Sequence, residues 1–102
     1  MTDPDLVPLQ ALVPYDRAVV LARQLGRDWG EPLTVAPLTA DQALDRDGAA
    51  RNRTVYLNRA GVPAHVIAHE VAHALGPAGE PDHGEQFRLR FTAVALRLLG
   101  YL

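Results

Sequence analysis

His69, Glu70 and His73 are the residues whose types and spacing can do chemistry. They lie in the stretch VIAHEVAHALG, residues 66–76, as H-E-x-x-H. Residues four apart stack on one helical face about 6 Å from each other, so both imidazoles can converge on one cation. Zinc takes neutral imidazole nitrogen at about 2.0–2.1 Å and, in catalytic sites, keeps one position for water. The pKa of that water falls to about 7. Glu70, about a hundred degrees round the helix from His69, can accept its proton and pass it to a leaving group. Shuffled chains of this composition produce the string about once in two hundred, and two histidines on a solvated face are the plain alternative. The context favours chemistry: Val66, Ile67, Val71, Ala72 and Leu75 give the helix a face to bury, and it continues past His73 before Gly76 ends it.

A third ligand is needed. Cysteine is absent, so it must come from His, Asp or Glu. The segment GPAGEPDHG, residues 76–84, and its successor offer Glu80, Asp82, His83 and Glu85. Gly76 and Gly79 let the chain turn back toward the ion. His83 is favoured, because imidazole suits zinc and Phe87 and Phe91 can anchor the position on the core. Glu80, Asp82 or Glu85 remain alternatives, as ligand or as a partner orienting a ring. His65 stands four before His69, but a stripe of three histidines spans about 12 Å along the axis, too long for one ion. It is expected exposed near the cleft or hydrogen-bonded at the helix start.

Several elements must position these groups. Residues 1–14 contain Pro4, Pro8 and Pro14 and read as an extended arm. Ala18, Leu21, Ala22, Leu25 and Trp29 recur at helical spacing, predicting an amphipathic helix over 15–29 that Gly30 breaks. Residues 32–38, bracketed by prolines, read as an edge strand. Thr39 and Gln42 form a capping-box pattern for one helical turn. Asp47-Gly48 signals a turn, followed by a strand at 53–58 with Val55 and Leu57 on one side, Thr54 and Tyr56 on the other. Pro63 suits the first position of the H-E-x-x-H helix, and Gly76-Pro77 ends it. A last helix from about 84 to 99 buries Phe87, Phe91, Val94, Ala95 and Leu98.

The chain has 102 residues, enough for one domain whose core buries about 60–70% of the unfolded surface. Its formal charge is −2, and all ten basic residues are arginines. There is no basic surplus for nucleic acid and no polybasic tail for a membrane. The start carries acids where a signal peptide carries positive charge, and no apolar run could span a bilayer. The expected address is the cytoplasm.

HEVAH followed by HGEQF, residues 83–87, resembles the H-E-x-x-H … H-G-P-E-F arrangement of SprT-like and WLM-type zinc metallopeptidases, which include the Spartan proteases. It is closer still to small metallohydrolases of actinobacteria and their phages. The similarity covers about residues 54–99. It implies that His69, His73 and His83 bind Zn2+ and that Glu70 is the general base. It also implies a minimal zincin-like α+β domain over residues 1–102: a small, mostly antiparallel sheet of two to four strands packed against three helices, including the H-E-x-x-H helix. A peptide would lie antiparallel along an edge strand above the metal, offered by residues 54–58 or 33–36. Glu85 and Gln86 depart from the family's proline and glutamate, and neither a zinc ribbon nor a basic tail is present. Cleavage of DNA-bound proteins is therefore not expected.

The leading expectation is peptide-bond hydrolysis by a zinc-bound water that Glu70 activates. Arg88, Arg90, Tyr56, Tyr101 and His65 are candidates to stabilise the oxyanion. Two other functions use the same residues: an amidase or cell-wall hydrolase, and a zinc-stabilised binding module without turnover, closed by Glu80 or Asp82 as fourth ligand.

Overall fold

The computed structural model describes residues 8–102; residues 1–7 of the expected arm lie outside the described residues. The architecture is α+β, with four helices and two small sheets among the described residues. The rest of the arm is not simply extended. Residues 8–10 make a 3-10 turn, and Leu12–Val13 form β1. Helix α1 (Tyr15–Asp28) follows, burying Ala18, Leu21, Ala22 and Leu25 as their spacing predicts. Trp29 caps it, half-buried at the rim of the core.

Strand β2 (Thr34–Pro37) is an edge strand, as its prolines require. One helical turn, α2 (Ala40–Ala43), carries the predicted capping box: Gln42 N–H donates to Thr39 Oγ1 at 3.2 Å, and Thr39 N–H to Gln42 Oε1 at 3.1 Å. The turn expected at Asp47-Gly48 is absent. Gly48–Arg51 form β3, and the chain reverses at Asn52-Arg53, with Asn52 at φ 55°, into β4 (Thr54–Leu57). Glycine and alanine carry little strand preference, so pairing with β4 imposes β3 on residues that do not announce it.

The β2-β4-β3 sheet is mixed: β4 runs parallel to β2 and antiparallel to β3. Val55 and Leu57 are fully buried, with Thr54 and Tyr56 on the half-buried face. Because β4 is central, it cannot offer the open edge expected of residues 54–58; the free edges belong to β2 and β3. The second sheet pairs β1 with β5 (Val62–Pro63), Leu12 opposite Pro63 and Val13 opposite Val62.

Pro63 thus ends a strand and sits at the N-cap of α3 (Ala64–Leu75), one place earlier than expected. Helix α3 is the hub. It packs on α1, α4, β3, β4 and β5, and buries Ala64, Ala68, Ala72 and Ala74, whose small side chains permit close approach on several sides. Helix α4 (Glu85–Leu99) lays Phe87, Val94, Ala95 and Leu98 into the core, with Phe91 half-buried beside them. No helix among the described residues is long and apolar enough to cross a membrane.

Candidate metal centre

The helical spacing of His69 and His73 does what it promises. The two rings meet edge to face with centroids 4.7 Å apart, on the side of α3 that faces β3 and the start of α4. His83 comes to them from the loop after Gly76. Its Nε2 lies 3.0 Å from His69 Nε2 and 3.2 Å from His73 Nε2. A tetrahedral zinc with nitrogens at 2.0–2.1 Å would set them about 3.3 Å apart, so the donor set fits the ion. No other cluster of three potential ligands occurs among the described residues.

The outer faces of the rings explain why Nε2 points inward. His69 Nδ1–H donates to Glu70 Oε2 at 3.2 Å, and Asp82 Oδ1 lies 3.9 Å from His73 Nδ1. A proton held on Nδ1 leaves the Nε2 lone pair for a cation. Burial first, and then the neighbouring His69, hold the His73 imidazole below its usual pKa, which favours the neutral form that binds metal. Beneath the cluster lies Phe87, 3% exposed. Its ring stacks on His73 at 4.2 Å between centroids and touches His69 and His83 at 5.3 and 5.0 Å.

His83 reaches this position at a conformational cost, with φ 54°. A left-handed histidine costs about 1–2 kcal/mol, so surrounding contacts must hold it there. His69, His73 and Phe87 meet its ring, and two arginines fasten the loop and helix end that carry it. Arg90 on α4 donates from Nε to Ala72 O at 2.7 Å and from Nη2 to Glu80 Oε2, joining α4, the end of α3 and the His83 loop. Arg53, just before β4, donates from Nη1 to Ala74 O and to Gly76 O, the latter at 3.1 Å, and pairs with Glu31 at 3.4 Å. Both guanidinium groups thus sit on carbonyls at the negative end of α3. A Cβ at Gly76 would overlap Glu80 Oε2 and Arg90 Nη2. Gly76 itself is extended, as a residue before proline prefers, so close approach and not a left-handed turn requires glycine here.

None of the acids expected as alternatives joins the three nitrogens, and only Asp82 comes beside a ring and lines the cleft. Glu80 is bound to Arg90, its Oε1 buried without a partner among the described residues. Asp82 is 87% exposed, and Glu85 is exposed in the first turn of α4. His65 is exposed at the start of α3, where Nδ1–H donates to Leu9 O at 3.0 Å. None of the five oxyanion candidates lines the histidine cleft. Arg90 is occupied, the Tyr101 hydroxyl donates to Asp28, Arg88 faces solvent, and Tyr56 is half-buried on β4.

The cleft, about 340 Å³, is lined by the three histidines, Glu70 and Asp82, with Gly48, Ala49 and Ala50 of β3 and Arg46 on its other wall. Sequence reasoning missed that wall. Gly48 packs so closely on α3 that a Cβ there would come within 2.9 Å of both Glu70 Cγ and Val66 Cγ1. Asn52, tolerant of positive φ between two extended runs, is the signal that could have revealed the hairpin. No protein-family model, curated protein or solved structure was found to match this chain.

Proposed function

We propose that the chain is a zinc-dependent metallopeptidase of minimal zincin-like build, related to the SprT-like and WLM-type enzymes. The observation that carries this reading is the meeting of three imidazole Nε2 atoms beside Glu70 in a cleft walled by an edge strand. His69, His73 and His83 would hold the ion. Zinc bound there supplies Lewis acidity to a water and to a carbonyl oxygen. Glu70, on the same helix, takes the water's proton and returns it to the departing amine. The free edge of β3, which walls the cleft, replaces the edge expected at residues 54–58 and is preferred to the free edge that β2 offers near residues 33–36: an extended peptide pairs antiparallel to it, its backbone hydrogen-bonded across the cleft.

The small side chains of Gly48, Ala49 and Ala50 leave room for a backbone to lie flat. This favours an extended peptide over a compact amide or a muropeptide. Among the described residues the cluster of potential ligands holds three imidazoles and no carboxylate, which supports an open site over one closed by a fourth protein ligand.

Elemental analysis and a peptide-hydrolysis assay on the wild-type chain and Glu70→Gln test the reading. The expected result is one zinc per chain in both proteins, with hydrolysis at least about 100-fold lower in the variant. Wild-type protein without stoichiometric zinc, or a fully active Glu70→Gln, would refute it.

A further inference from the structure

Among the described residues that line the histidine cleft, one carries a permanent positive charge, Arg46. We propose that Arg46 is a specificity-determining residue that binds a substrate carboxylate lying C-terminal to the scissile bond. The inference rests on the peptidase reading for the direction in which the substrate runs.

Arg46 lies in the segment joining α2 to β3, two residues before Gly48. That segment is held from beneath by Asn58. Its Nδ2 donates to Ala43 O at 3.4 Å and to Arg46 O at 3.5 Å, and its backbone N–H donates to Asp47 O at 3.0 Å. The side chain is oriented as well. Arg46 Nε donates to Asp45 Oδ1 at 3.3 Å, while Nη1 and Nη2 have no hydrogen-bond partner among the described residues. A guanidinium held by Nε still presents a planar pair of donors, the arrangement that takes a carboxylate in two parallel hydrogen bonds.

Direction follows from strand polarity. A peptide antiparallel to β3 enters beside Arg51 and leaves past Gly48, so its C-terminal part crosses Arg46. Gly48 packs against Glu70, which places the reacting carbonyl near that end of the strand. At about 3.3 Å per residue, Arg46 then faces the first or second residue after the cleaved bond. Asp45 and Asp47 share the loop and Asp41 lies in α2 just before it, so long-range attraction is weak and recognition comes from contact. The carboxylate has two sources: an aspartate or glutamate side chain, or the substrate's own C-terminus.

Binding to the zinc-loaded chain carrying Glu70→Gln, which leaves peptides uncut, separates them. Calorimetry compares paired peptides with and without the further change Arg46→Gln. One set sets Glu against Gln at successive positions in peptides blocked at both ends; the other sets a free C-terminus against its amide. The expected result is that an acid-bearing member binds about tenfold tighter than its uncharged twin. Arg46→Gln abolishes that difference without weakening the twin, and Arg46→Lys restores part of it. Preference confined to the Glu set identifies a side-chain carboxylate; preference confined to the free terminus identifies a carboxypeptidase-like mode. Equal affinities within every pair, a preference that survives Arg46→Gln, or binding of no peptide overturns the proposal. Failure of the peptidase reading shows separately, as wild-type chain that leaves all the peptides intact.

Discussion

The Glu80 carboxylate and the Arg90 guanidinium meet directly over Gly76, in the space that a Cβ at that position would occupy. Their side chains are 11% and 16% exposed. Through Arg90 Nε and the Ala72 carbonyl, this pair fastens the loop bearing His83 to the helix bearing His69 and His73.

Removing one partner strands the other. Arg90→Met leaves Glu80 buried without its cation and is expected to cost about 3 kcal/mol, whereas Arg90→Met with Glu80→Gln costs much less. Gly76→Ala, which overlaps both groups, should cost about 1–3 kcal/mol. Urea unfolding gives the stabilities, and a competitive zinc titration should show weakened affinity in each destabilised variant. Affinity unchanged across the series would detach this pair from the placement of His83.

His83→Ala should lose zinc and keep the fold. Helix α3 is secured at its start by the β1-β5 pairing and at its end by Arg53 and Arg90, none of which needs the ion. At a free zinc concentration a hundred times its Kd, the wild type should gain about 2.7 kcal/mol, and the variant nothing. Thermal melts with zinc and with chelator measure both. A melt of the variant that begins unfolded would mean that His83 serves the fold itself.

Gly48→Ala pushes a methyl group against Glu70 Cγ and Val66 Cγ1, with none of the three imidazoles among the atoms it meets first. Hydrolysis should fall by at least about tenfold, on the scale of a displaced catalytic group, with zinc stoichiometry preserved. Parallel loss of zinc and activity would place the damage in the fold instead.

Asp28 supplies the pH dependence. The Tyr101 hydroxyl, then Arg97, hydrogen-bond its carboxylate and hold the pKa near about 2, against 3.8 unperturbed. A folded-state pKa below the unfolded value means the unfolded chain takes up the proton first as pH falls. The stabilisation is therefore complete above about pH 4 and disappears toward pH 2. Melting temperatures of wild type and Asp28→Asn should differ by a constant amount from pH 7 to 5 and converge between pH 4 and 2. A gap that persists at pH 2 would argue against the assignment.

What could be read beforehand, and what could not, follows from how each feature is encoded. Helix α1 and the buried alternation of Val55 and Leu57 are written as local periodicity, and so were readable. So was the meeting of His69 and His73, which needs only helix geometry. The approach of His83 was expected on chemical grounds, but its left-handed backbone and the Phe87 ring beneath it depend on tertiary contacts. Strand β3 escaped notice because Gly48-Ala49-Ala50 has no period-2 pattern of its own. With it went the placement of Arg46, and the recognition that residues 54–58 form an interior strand. The arginine clamp on α3 was unreadable for another reason: Arg53 and Arg90 stand 21 and 18 residues from the carbonyls they bind.

An unpaired β3 edge also has a bearing on the molecule's solubility. Its row of unsatisfied backbone groups welcomes any extended polypeptide, sibling copies included, so the trait that would admit a guest equally invites aggregation. The strand is only four residues long, with a guanidinium at its far end, which are features that discourage such pairing. Crowded preparations should accordingly keep better when a short peptide occupies the groove.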